Sequence, residues 1–441
     1  MTTPLPPGTP GLPLIGETIS FLRSPQHFAV KRRTQHGPVF RTHLFGNNAV
    51  YLSGPEANRW IFSGEGRYVK NRWTPAIRRL LGARSMAMLE GEAHRTRRTL
   101  LMPHFTRASV EGTASMIEAT TRRHLEQWER LGELRLVPAL KTLTFEIATR
   151  FLVGTVSDEE RASLSHDFDV WTQGFFALPI DLPGTTFHSA LKGKTRLMNQ
   201  IRSLVERKAK ERTNEGDRHD VLTSLLGARD ETGQALDVET IADELHLMFF
   251  AGHDTTVTAT TNALIHLALY PEVLERARRE QNELGEGPMT HERIHRAEWL
   301  TQTLNESMRV IPPIAGAFRV TTENTSYGGY TIPEGWTVVL SPVGSHQDPD
   351  EFVHPETFDP SRFDKSKPEN KRSQLAFIPF GGGPRVCIGQ HFAMLEMQIM
   401  LALFVRDFAW QLKNRNKLAW EAVPFPRPKD GGRVTWQRRA G

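Results

Sequence analysis

The sequence predicts a mainly α fold with small β-sheets, and three observations predict it. Residues 239–270 and 388–404 are long, apolar at helical spacing and poor in breakers, so each reads as a buried helix. Residues 111–130 and 138–153 repeat the same period, the second strongly apolar. Against these stand only short extended runs. The first is 38–53, where Val39-Phe40-Arg41-Thr42-His43-Leu44 and Ala49-Val50-Tyr51-Leu52 flank a Gly/Asn turn as a hairpin would. Such a hairpin belongs in a small sheet at the edge of a helical body.

The other elements follow in order. Pro4, Pro6, Pro7, Pro10 and Pro13 make an irregular start through Gly16, with no signal-peptide core and no apolar run of membrane-spanning length. Residues 55–63 form a short helix, and from Arg72 to Leu89 the chain reads as irregular, with Trp73, Ile77, Leu80, Met86 and Met88 along it. In Gly91–Arg98, His94 and Arg98 are four apart and share a helix face. Pro179, Pro183 and Gly184 break the helical period over 174–188, leaving an apolar loop that is either a lid or a packed surface loop. Arg202 to Arg212 is a charged helix, and a short one starts at Asp220.

Within 239–270, Ala251-Gly252-His253-Asp254-Thr255-Thr256 interrupts the apolar run. Glycine costs backbone entropy there, and the hydroxyls compete for backbone hydrogen bonds. A helix opening at Glu298 carries Glu306 and Arg309 three apart and stops at Pro312-Pro313. Ile314 to Val320 is then extended, and strands near 326–332 and 336–341 surround Pro333-Glu334-Gly335.

Fifty-five basic residues against 50 acidic give a net charge of +5 over 441 residues. No basic run carries interleaved aromatics, which argues against nucleic acid, whereas the excess suits an acidic protein partner. A single cysteine excludes an internal disulfide and fits a reducing cytoplasm. There is no internal repeat and no low-complexity tract.

That cysteine lies in Phe380-Gly381-Gly382-Gly383-Pro384-Arg385-Val386-Cys387-Ile388-Gly389. Three glycines and a proline let the backbone take positive φ and lie close against a flat partner. Cys387 precedes a helix N-terminus, where the dipole and free N–H groups favour thiolate, and Arg385 places a positive charge beside it. On chemistry alone Cys387 is a small buried hydrophobe, a nucleophile, or an axial ligand to haem iron.

The spacing F-x-x-G-x-R-x-C-x-G, held by Phe380, Gly383, Arg385, Cys387 and Gly389, resembles the haem-binding loop of the cytochromes P-450. Other segments are similar to that family in the same order: the Pro-rich start, His94 with Arg98, A-G-x-D-T-T at Ala251 to Thr256, E-x-x-R at Glu306 to Arg309, and Arg362 in a P-x-R-F-like stretch. The resemblance covers essentially the whole chain. It implies the cytochrome P-450 fold, a single triangular haem domain over residues 1–441 with no membrane anchor and no fused reductase. It also implies haem b (iron protoporphyrin IX) with Cys387 as axial thiolate, and Phe380, Arg385, Gly389 and Gly252 against the cofactor. His94, Arg98 and Arg319 are implied to hold its propionates. Thr255 would hydrogen-bond dioxygen or its water, and Asp254 would relay protons. Glu306, Arg309 and Arg362 are implied to be structural.

For the pocket the resemblance points to Trp73, Ile77 and Met88 in a roof loop, Phe176 in the lid, and Leu247, Phe250 and Ala251 on the long helix. Ala315 and Ala317 would pass beside the substrate, and Phe425, in the turn Pro424-Phe425-Pro426, would re-enter the pocket. Arg95, Arg97 and Arg107 would dock an acidic donor, a ferredoxin or flavodoxin with its reductase. The implied activity is that of a cytoplasmic, monomeric monooxygenase inserting one oxygen atom of O2 into a C–H bond of a hydrophobic small molecule. A peroxide-using haem-thiolate enzyme and a haem-binding sensor are the rival readings, and retention of Asp254 and Thr255 favours the monooxygenase. Phe176 to Pro183, Gly316 to Arg319 and Gly329 to Trp336 are similar to retinoic-acid hydroxylases, their cyanobacterial relatives and sterol-modifying members. They point to a long isoprenoid or terpenoid such as a retinoid, with a fatty acid or another terpenoid or sterol as the alternative.

Overall fold

A computed structural model describes residues 3–211, 220–229, 233–367, 371–422 and 425–439. Its axis is the helix Val238–Leu269, 32 residues and about 48 Å long at 1.5 Å per residue. Asp237 caps it by accepting from the Thr240 N–H. The helices that pack most extensively against this central one are Leu136–Val153, Thr186–Glu211, Glu298–Val310 and the cysteine helix Gln390–Asp407. Stacked rings tie them together, Phe145 on Phe249 and Phe151 on Phe392 at centroid distances of 5.6 and 4.0 Å.

The strands lie at the margins. In chain order they are β1 (Val39–Leu44), β2 (Asn47–Leu52), β3 (Val69–Asn71), β4 (Glu133–Arg135), β5 (Ala317–Thr321), β6 (Thr325–Tyr327), β7 (Tyr330–Ile332), β8 (Thr337–Leu340), β9 (Phe408–Leu412), β10 (Trp420–Glu421), β11 (Arg427–Pro428) and β12 (Arg433–Arg438). The largest sheet runs β1-β2-β8-β5-β3, with β2 and β8 parallel and the other pairs antiparallel. The expected hairpin is β1–β2, in register from Val39 opposite Leu52 to Leu44 opposite Asn47. The Pro-rich start is stitched onto these strands, since the Arg41 N–H donates to the Pro7 carbonyl and the Thr331 N–H to that of Pro4.

Four expectations change. The stretch 72–89 holds a helix, Pro75–Leu81, and a 3-10 turn, Met86–Met88. Its signals are in the sequence: Thr74 accepts from the Ile77 N–H, Pro75 occupies the first turn, and Gly82 ends the helix at φ +84°. The charged helix at 202–212 is the end of Thr186–Glu211, whose first half buries Phe187, Ala190, Leu197 and Met198, so the irregular lid shrinks to 177–185. The strand near 326–332 is two short strands turning at Gly328 and Gly329, both at positive φ. The central helix is not interrupted at Ala251–Thr256, because Thr255 and Thr256 donate their hydroxyls to the Ala251 and Gly252 carbonyls, each at 2.8 Å. Among the described residues no helix is long and apolar enough to cross a membrane.

Candidate active site

The cysteine loop is closed by its own backbone. The Cys387 N–H donates to the Phe380 carbonyl at 2.9 Å and the Val386 N–H to that of Gly383 at 3.1 Å. Gly383 has φ +65°, and a Cβ there would fall 2.7 Å from that of Phe62. A Cβ on Gly382 would lie 2.4 Å from the Phe62 ring. The flat partner of these two glycines is thus Phe62, on the helix Pro55–Gly64. Gly389, by contrast, has only the Phe105 ring within 4.0 Å of where a Cβ would stand.

Cys387 is exposed, yet burial of its thiol raises the pKa against the opposing pull of the Gly389 N–H and of Arg98. Both statements hold for a sulfur reached by solvent through a cleft inside the protein. The helix N-terminus alone does not favour the thiolate as expected, because desolvation outweighs it. The cation acting on the sulfur is Arg98, not Arg385.

Arg385 instead donates to Glu65 at 2.6 Å and to Glu90 at 2.8 Å, and Arg319 donates to the other Glu65 oxygen at 2.7 Å. His94 is buried beside them. Burial first, then Arg385 and Arg98, push its pKa down to about 4 against the pull of Glu65, so it is neutral at pH 7. The structure therefore gathers three cations, Arg98, Arg319 and Arg385, around the neutral His94 near Cys387. Glu65, which sequence reasoning missed, pairs with two of them.

In the middle of the otherwise buried central helix, Ala251 and Gly252 are exposed and Phe250 is half-buried. A Cβ on Gly252 would meet nothing within 4 Å. Among the described residues no three His, Cys, Asp or Glu side chains could hold a metal ion together. One accessible thiol can hold iron only if the iron's other ligands arrive with it, as in a macrocycle. A cationic cluster near that thiol and a bare helix face suit a flat group carrying carboxylates, and the residues present fit haem.

Asp254 is buried between two cations, with Lys141 Nζ at 3.7 Å and an Arg427 guanidinium nitrogen at 3.8 Å. Each cation also reaches an acid nearer the surface, Lys141 to Asp169 at 2.8 Å and Arg427 to Glu421 at 3.3 Å. Neither basic partner was found from sequence. Next to Asp254, His253 shares a hydrogen bond with the Thr144 hydroxyl, and burial holds its pKa down to about 4.

Glu306, Arg309 and Arg362 form the expected knot. Arg309 donates twice to Glu306 at 2.7 and 2.9 Å, and Arg362 donates to it at 3.0 Å. Of the basic residues expected to face a donor, Arg95 and Arg107 are exposed, paired with Glu92 and Glu111. Arg97 is not among them. It turns inward to Glu244 on the central helix at 2.5 Å, and that acid also accepts from the Met86 N–H. The signal missed was Glu244 itself, an acid amid apolar helical residues.

Trp73, Ile77, Met88, Leu247 and Phe250 all pack on the main core. The Trp73 indole donates to the Ala87 carbonyl, and Phe250 stacks on Phe175 with centroids 4.3 Å apart. Phe425 is buried, and the next residue, Pro426, accepts from the Asn262 side chain on the central helix. Ala315 and Ala317 pack with the sheet rather than with the aromatic group. The Phe176 side chain and Pro424 lie outside the described residues.

The family profile described as Cytochrome P450 matches residues 6–431. A protein designated cytochrome P450 120 in Synechocystis sp. is 35% identical over 98% of this chain and 96% of its own. Cytochrome P450 26A1 of Gallus gallus is 32% identical over 93% of this chain and 86% of its own. A solved structure described as retinoic acid bound cyanobacterial CYP120A1 superposes with a TM-score of 0.91 at 34% identity, covering 99% of this chain and 100% of that one. This chain belongs to the cytochrome P450 family and is a haem-thiolate monooxygenase that takes electrons from a redox partner and acts on a small hydrophobic substrate.

Proposed function

We propose that the protein, as one domain, hydroxylates a long isoprenoid acid of the retinoid type, with haem b held through the Cys387 thiolate. The observation that carries this is the 34% identical structure solved with retinoic acid, read together with the aromatic and aliphatic wall of Trp73, Ile77, Phe175, Leu247 and Phe250. Haem bound there supplies the activation of dioxygen and the insertion of one oxygen atom into a C–H bond.

The chain's own residues prepare and protect that chemistry. The closed loop from Phe380 to Cys387, packed on Phe62 through Gly382 and Gly383, fixes the backbone that carries the sulfur. His94, Arg98, Arg319 and Arg385 would hold the propionates, with Glu65 aligning two of the guanidinium groups. Asp254, held between Lys141 and Arg427, would relay a proton from solvent toward Thr255. The Thr255 hydroxyl donates its proton to the Ala251 carbonyl and so keeps its lone pairs free to accept from a water in the cleft. Phe250 and Phe175 exclude bulk water from one side. Arg95 and Arg107 face a ferredoxin or flavodoxin.

Titration of the purified ferric protein with all-trans retinoic acid tests the proposal. The expected result is a Soret shift from low to high spin followed by a hydroxylated product; a haem spectrum with no shift overturns the retinoid assignment. Cys387→Ser is expected to abolish the thiolate-type spectrum of the reduced carbon-monoxide form, and its retention overturns the ligand assignment. Thr255→Ala is expected to divert reducing equivalents to peroxide.

A further inference from the structure

A cavity of about 460 Å³ lies outside the site described, between the helix Pro75–Leu81 and the helix Thr186–Glu211. Its floor is apolar, formed by Leu191 and Met198. Its rim is cationic, with Arg79, Lys192, Lys194 and Arg202, and His188 alongside. Arg202 is neutralised by a two-pronged pair with Glu239 at 2.7 and 3.0 Å. Lys194 gives one proton to the Arg79 carbonyl at 2.7 Å and feels Asp243 from the central helix. One acid lines the cavity, Asp181 of the loop 177–185. It accepts from Arg79 at 2.5 Å and is 2.7 Å from His188 Nδ1.

Asp181 shows what the rim recognises, for a carboxylate already sits on Arg79 and His188 while Lys192 and Lys194 add positive charge nearby. The same loop exposes Leu178, Ile180 and Leu182 at 76, 48 and 60%. An apolar floor, a cationic rim and an exposed apolar loop suit a molecule that is a long hydrocarbon with one carboxylate. Ion pairs at an exposed site are worth little, so the pair between Asp181 and Arg79 opens at small cost.

We propose that this cavity is a docking subsite for the carboxylate of an apolar acid, which takes the place of Asp181 on Arg79 and His188. The choice of acid rests on the retinoid reading above. A single amphipathic molecule suits it better than a lipid surface, because only two apolar side chains, Leu191 and Met198, line it beside four cationic ones.

The test is stopped-flow quenching of tryptophan fluorescence in the haem-loaded protein by all-trans retinoic acid and by retinol, with haem absorption followed in parallel. Arg79→Gln with Lys192→Gln is expected to slow association of the acid at least fivefold while changing retinol less than twofold. Asp181→Asn, which frees Arg79, is expected to speed the acid severalfold, and its opposite sign separates docking from damage to the fold. Equal effects on acid and alcohol, or none on either, overturn the subsite. Variant-sensitive quenching with no haem shift keeps the subsite and removes the retinoid reading of the active site. A haem shift whose rate ignores all three substitutions keeps that reading and removes the subsite. Binding to phosphatidylglycerol vesicles that the double variant loses, without quenching by the monomeric acid, also overturns it.

Discussion

Two buried acids in this molecule keep basic company, in different ways. Glu306 is sealed and saturated: Arg309 donates to both of its oxygens, and Arg362 and the Asp359 N–H also donate to one of them. Arg309 spends its remaining donors on the carbonyls of His346, Pro355 and Thr357. Asp254 is nearly as buried, but its cations stand 3.7 and 3.8 Å away and lead outward to Asp169 and Glu421. A saturated charge has one arrangement, which suits holding a fold together. An acid whose cations stand off has room to change its hydrogen-bond partners, which suits the relay role proposed for it.

The comparison can be broken at its strong end. Arg309→Ala strands a buried carboxylate and is expected to cost about 3–5 kcal/mol, read as a fall in the denaturation midpoint. An unchanged midpoint would show that the knot is not structural. Asp254→Asn is expected to leave stability within about 1 kcal/mol while lowering product formation on the order of a hundredfold. Equal losses of stability and turnover would erase the distinction between the two acids.

Acid pH acts on both regions alike. Burial holds His253, beside Asp254, and His266, which feels Arg309, down to about 4. The unfolded chain therefore takes up protons first, and stability is full above about pH 6.5 and falls as the pH drops toward 4. His94 near 4 and His246 and His346 near 3 add to the same limb. Glu244, raised to about 7 by burial against the pull of Arg97, works the other way, its contribution present below about 4.5 and lost as the pH rises through 7. Midpoints measured from pH 7 to 4 are expected to fall, and His253→Gln and His266→Gln to flatten the fall by similar amounts. The smallest effect belongs to Arg95, whose exposed pair with Glu92 serves as the control; Arg95→Ala is expected to move the midpoint by under about 0.5 kcal/mol.

The long helices were legible because a buried helix repeats its apolar residues over many turns, as in 138–153 and 239–270. Short elements were harder. The helix Pro75–Leu81 announces itself only through Thr74, Pro75 and Gly82, and these were read as loop residues. At the site, Cys387, His94, Glu306 and Arg309 were found because their order and spacing carry the pattern. Glu65, Lys141 and Arg427 were not, since each meets its partner across more than a hundred residues of chain and nothing local marks it. The upward shift of the Cys387 thiol was missed for a related reason. A helix N-terminus can be read from sequence, whereas the desolvation that opposes it depends on what packs around the sulfur.

The solitary thiol turns the protein into its own counter. The chain has one sulfhydryl, it opens on the cleft, and a ligated sulfur resists alkylation. With Cys387 as the proposed iron ligand, the fraction of chains that gain a single maleimide mass in a preparation would report the fraction lacking cofactor, with no background from other cysteines to subtract.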